Sequence, residues 1–186
     1  MGLDITAYTK VKKVEVVLDD DGHPADEAIY DTRVMAWVNG SRGQHDHLEH
    51  KAFYSYEEDF GFRAGSYSGY NAWRDALARL AGYEETEYTD SFLAVDGDDR
   101  KRKSHAAACW NGERQGPFAE MIDFSDAEGS IGPVTSAKLA KDFAEFEERA
   151  RTFAAWPDDD GWFFKVYLDW KTAFEMAADG GMVQFH

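Results

Sequence analysis

The residues best suited to chemistry lie at positions 63–74, in the run RAGSYSGYNAWR. Arginine, serine, tyrosine and asparagine crowd there around Gly65 and Gly69. The stretch before it, Phe60-Gly61-Phe62-Arg63, reads as the end of a strand. After it, Trp73, Leu77 and Leu80 recur at i, i+4 and i+7, with Ala76 beside them. That spacing predicts a helix reaching about residue 81, stopped by Gly82. A strand, a Gly/Ser turn and a helix start leave backbone N–H groups free at the positive end of a helix dipole. Such a corner suits an anion, phosphate above all. Arg63, Ser66, Ser68, Asn71 and Arg74 would supply donors, and Tyr67 and Tyr70 rings for stacking. The plainer alternative is that Gly65 and Gly69 permit a tight turn and Ser68 or Asn71 caps the helix. Arg74 stands out in either reading, because a cation early in a helix needs an anion or carboxylate to offset the dipole.

A second run, SDAEGSIGP at 125–133, has the same character. It follows a predicted strand at 118–124 and opens onto a helix predicted from about 135 to 155. Ser125, Asp126, Glu128, Ser130 and Lys138 would line a pocket with the first corner if the two face each other. Asp126 or Glu128 would then accept from ribose hydroxyls or base amines. Neither corner is a fingerprint: there is no G-x-x-x-x-G-K-[ST], and no G-x-G-x-x-G follows a strand. No cofactor is expected.

His45, His47 and His50 form H-x-H-x-x-H, with Asp46 and Glu49 between them. The run is similar to one in metallo-β-lactamase-like hydrolases, which carry an aspartate where this chain has Glu49. Imidazole and carboxylate suit zinc. That fold needs further ligands downstream, where the remaining histidines are His105 and His186. The expectation is a polar His-rich loop without a native metal. Asp19, Asp21 and His23 likewise read as an exposed acidic turn, since Gly22 comes too early for a calcium loop and no glutamate closes it.

The elements that must position these residues follow from pattern. The 186 residues, 44% hydrophobic and 15% aromatic, are enough for one domain over 1–186 with a real core. Residues 4–18 read as a strand or a bent pair, 30–38 as a second strand ended by Asn39-Gly40, and 182–185 as a last strand. Residues 84–104 read as an excursion with at most a short strand, the basic cluster at 100–103 being a solvated loop. His105–Trp110 suggests a helical turn. Leu139, Phe143 and Phe146 mark the buried stripe of a long helix, and Phe163, Val166, Tyr167, Trp170 and Phe174 that of another. The expected fold is α+β: an antiparallel or mixed sheet with about three helices packed on it. Trp73, Leu77, Leu139, Phe143, Phe146, Val166 and Trp170 should be buried.

The net charge of −16 opposes direct nucleic-acid binding and docking on anionic membranes. A single cysteine, Cys109, excludes an internal disulfide and fits a reducing compartment. The start MGLDITAYTK has no signal-peptide pattern, and no apolar run approaches a membrane span, so a cytoplasmic protein is expected.

The opening MGLDITAY and the runs FRAGSYSGYNAWR and FAEMIDFSDAEGSIGPVTSAKLAKDF resemble a group of small bacteriophage and prophage proteins of unassigned function. The resemblance touches about a third of the chain. It implies a phage-type protein working in the host cell cytoplasm, and it brings no activity with it. The leading expectation is a protein that binds a small phosphate-bearing ligand, such as a nucleotide signal of host defence. The alternative is an acidic protein–protein inhibitor that mimics nucleic acid against a host defence protein. The third is a hydrolase using Asp126 or Glu128 as base, or a metal on the histidine run. No nucleophile–base pair is legible from spacing, which argues against an enzyme.

Overall fold

The computed structural model describes residues 2–21, 23–38, 43–90, 100–111, 115–124 and 129–186. Strand β1 (Gly2–Tyr8) alternates Leu3, Ile5 and Ala7 inward, and it runs through the centre of the larger sheet. That sheet has the order β5-β1-β9-β8, with β5 (Asp59–Ser66), β8 (Gly129–Ile131) and β9 (Met182–Phe185) all antiparallel to their neighbours. Three helices cover one face: α2 (Tyr67–Ala81), α5 (Pro133–Arg151) and α6 (Trp162–Ala177). Their apolar stripes meet the inward side chains of the sheet in one large aromatic core. Trp73, Leu77, Leu139, Phe143, Phe146, Val166 and Trp170 are all buried in it, as expected. The fold is α+β.

Two clear punctuation marks hold α2. Ser66 caps its start by accepting from the Gly69 N–H at 3.0 Å. Gly82 ends it in the left-handed region (φ +91°), and Tyr83 N–H returns to Ala78 O. The cap is thus Ser66, neither Ser68 nor Asn71.

The opposite face of the sheet carries a smaller apolar cluster. Tyr8 and Met182 meet Val34, Ala36, Leu48 and Tyr54 there. These come from a three-stranded sheet of order β2-β4-β3, with β2 (Lys12–Val14), β3 (Val34–Met35) and β4 (Phe53–Ser55). Residues 4–18 are therefore a bent pair whose halves join different sheets.

Three expectations need correction. Residues 30–38 are not one strand: α1 (Ile29–Thr32) precedes the two-residue β3. Residues 118–124 hold the short helix α4 (Ala119–Ile122), because a brief apolar run fits either period. The excursion at 84–104 is a ribbon of β6 (Thr86–Asp90) and β7 (Arg100–Ser104). The basic cluster is thus a strand, and its Lys101 meets Glu87 across the ribbon at 2.8 Å. After β7, α3 (Ala107–Asn111) occupies the expected helical turn.

Candidate functional site

The first corner is a strand–turn–helix path, but its own side chains fill it. Ser66 Oγ is spent on Gly69 N–H and lies 3.1 Å from Ser68 Oγ. The Trp162 indole lies over the turn: a Cβ on Gly65, whose φ is +106°, would stand 3.3 Å from it. Arg63 is exposed on β5 and lays its guanidinium against Gly2 of β1. Tyr67 and Asn71 are half-buried, and Tyr70 is fully buried, its ring 5.9 Å from that of Trp170.

Arg74 points away from the turn. Its Nη1 donates to Phe124 O at 2.5 Å and to Ile122 O at 3.4 Å, the carbonyls around the end of α4. Its guanidinium lies 5.4 Å from both the Tyr70 and Trp110 rings. Carbonyl oxygens and ring faces thus offset the cation early in α2, where a bound anion or a carboxylate was expected.

The second corner has another path than expected. Ser125, Asp126 and Glu128 lie outside the described residues. Ser130 is in β8, buried, and accepts from Trp37 N–H at 3.1 Å. Strands β5 and β8 are the two edges of the four-stranded sheet, three strand spacings or about 14 Å apart. Lys138 lies on α5 and pairs with Glu120 at 2.5 Å and Asp142 at 2.8 Å, tying α4 to α5. The structure therefore joins Ser66 to Ser68 and Tyr70 to Arg74, and sets Ser130 and Lys138 apart from both.

An anion does sit on a helix start, and it belongs to the chain. Asp46 Oδ2 accepts from Val134 N–H at 2.8 Å and Thr135 N–H at 3.0 Å, closing the N-terminus of α5. Gly132 is required beside it, since a Cβ there would come within 2.6 Å of His45 O and Asp46 Oδ2. The histidine run is thus the docking loop of α5. His45 is half-buried there, His47 is exposed, and His50 Nδ1 accepts from Val38 N–H at 3.2 Å. Among the described residues no three His, Cys, Asp or Glu side chains are placed to share a metal ion.

The cavity with the most chemistry lies where the sequence offered no motif. It measures about 460 Å³ and opens beside the three-stranded sheet. Tyr30, Trp37 and Phe53 supply rings, and Lys51, His23 and Asp21 supply polar and charged groups. Three local devices build it. Asp19 Oδ1 accepts from the N–H groups of Asp21 (3.0 Å) and His23 (2.8 Å), so the acidic turn is a preformed rim. Lys51 is held at φ +60° by a bond from its N–H to Ala36 O, and Ala36 N–H returns to Ala52 O. That places Lys51 Nζ 5.6 Å from the centre of the Trp37 ring. The His50 ring stands edge-on to the same indole at 4.9 Å. Leu18 and Tyr30, among the most exposed large apolar side chains described, line its rim. The volume and the mix of rings with a few convergent polar groups are those of a small-molecule site.

Sequence reading missed this cleft because its walls come from three segments within residues 18–53. The signal available was the set of aromatics at 30, 37 and 53 flanking the histidine loop. Compared with known proteins, the chain matches no protein-family model, no curated protein and no solved structure.

Proposed function

We infer that this protein binds a small anionic ligand bearing an aromatic ring, of the nucleotide kind, in the cleft beside Trp37. The observation that carries this reading is the joint presence of Tyr30, Trp37 and Phe53 with Lys51 and His23 around one cavity. The rings give a base faces to stack on, and Lys51 gives phosphate a partner on a chain of net charge −16. Asp21 suits a base amine or a ribose hydroxyl. With the resemblance to phage proteins, such binding would suit the withdrawal of a nucleotide signal from a host defence system.

A second reading, an acidic surface that blocks another protein's nucleic-acid site, is favoured by the exposed Glu145, Glu148, Asp158 and Asp160. Calorimetric titration with mononucleotides, dinucleotides and sugar phosphates separates the two. The expected result is binding of a nucleotide, weakened about fivefold in Lys51→Met, as an exposed ion pair worth about 1 kcal/mol implies. Trp37→Ala should cost about 1–3 kcal/mol of binding, the worth of base–aromatic stacking. A panel without a binder contradicts the inference and leaves the acidic-surface reading.

A further inference from the structure

One wall of the cleft beside Trp37 is a hairpin tied by its own backbone. Leu18 and Pro24 form an isolated antiparallel bridge, Asp19 N–H donates to His23 O at 2.7 Å, and Ala25 N–H donates to Val17 O at 2.9 Å. Leu18, Asp21, His23 and Pro24 line the cavity from this turn. Asp19 Oδ1, by accepting from the N–H groups of both Asp21 and His23, fixes those two residues relative to each other. Asp21 brings the one carboxylate among the described lining residues, and His23 brings an imidazole that carries an N–H in either tautomer. A hydrogen-bond acceptor and a donor are thus presented from one braced turn, opposite the rings of Tyr30, Trp37 and Phe53.

That combination discriminates among bases. A carboxylate accepts through two oxygens and donates nothing. Guanine offers two donors side by side, N1–H and the 2-amino group, followed by the O6 acceptor. Adenine and cytosine each set an unprotonated ring nitrogen beside their amine, which a carboxylate repels. Uracil has one N–H between two carbonyls. Of the common bases only guanine fills both carboxylate oxygens, and its O6 is left for the donor beside them. We propose that Asp21 is the specificity residue of the cleft and that the ligand is a guanine nucleotide, its N1–H and 2-amino group on the Asp21 carboxylate and its O6 toward His23. This rests on the nucleotide reading above and goes beyond it by naming the base.

The test titrates GMP, dGMP, IMP and AMP calorimetrically into the full chain and into Asp21→Asn. GMP should bind about tenfold tighter than AMP, the discrimination that one bidentate pair to a base gives. IMP, which lacks the 2-amino group, should fall between them, and dGMP should match GMP. In Asp21→Asn the ratio of GMP to AMP affinity should drop below about threefold. Asp21 is exposed and its bond to Asp19 is made by the backbone, so the substitution leaves the turn tied. Should the variant fail to fold, the order of the four ligands on the wild type decides alone. Equal affinities for GMP and AMP, or a GMP preference that survives Asp21→Asn, overturns guanine recognition and leaves the nucleotide reading standing. So does weaker binding of dGMP than of GMP, since a ribose diol can also bridge a carboxylate. No binding of any of the four overturns both.

Discussion

At the scale of single residues, Arg74 shows how a side chain suited to a ligand becomes part of the frame. Its bonds to Ile122 O and Phe124 O make it a clamp between α2 and α4. Arg74→Ala should therefore cost about 1.5–3 kcal/mol of stability, the usual worth of hydrogen bonds to a charged group, while nucleotide affinity stays unchanged. Urea unfolding measures the first and calorimetry the second; unaltered stability with lost affinity would contradict this role. Cys109 is the other residue with a distinct expectation. Burial pushes its thiol from 9.0 up to about 11, against a smaller lowering by the Tyr83 hydrogen bond. Between those values the unfolded thiol has released its proton and the folded one retains it. Stability is thus full below pH 9 and falls as pH rises toward 11. Burial also raises Tyr83, which adds to the fall above pH 10. Melting temperatures from pH 8 to 11 should decline less steeply in Cys109→Ala; parallel declines would show the thiol is not involved.

Among the elements, the junction of the 43–50 loop with α5 carries the clearest expectation. The Asp46 carboxylate closes a helix start 88 residues away in sequence. Asp46→Ala should cost about 1–2 kcal/mol, as loss of an N-cap does, seen as a lower urea midpoint at unchanged slope. Wild-type stability in that variant would mean the cap is idle. This junction also marks how far the elements were legible. The three long helices could be read because each repeats its apolar stripe over about three turns or more and ends at a glycine or a polar break. Ala119–Ile122 and Ile29–Thr32 are a single turn each, too short for a period to show. The β6–β7 ribbon has few apolar residues to alternate, and its charges make sense only once Glu87 lies opposite Lys103. A cap supplied from the far end of the chain leaves no local trace.

For the whole molecule, folding fills the expected corner with the chain's own side chains and makes a cleft from segments that carried no motif. Trp162 and Ser66 close the Gly65 turn, whereas the rings of Tyr30, Trp37 and Phe53 surround open volume. A chain of net charge −16 draws in an anion only where a cation is locally presented, and Lys51 over Trp37 is such a place. The central claim is therefore one of location, and the six tryptophans let it be tested directly. Indole N–H resonances are followed by nuclear magnetic resonance as AMP or GMP is added, with the Trp37 signal identified by its loss in Trp37→Phe. The expected result is that the Trp37 signal moves in proportion to occupancy, while that of Trp162, over the Ser66 corner, stays in place. Movement of Trp162 with Trp37 unmoved would put the ligand back at the corner and contradict the account, as would the absence of any shift.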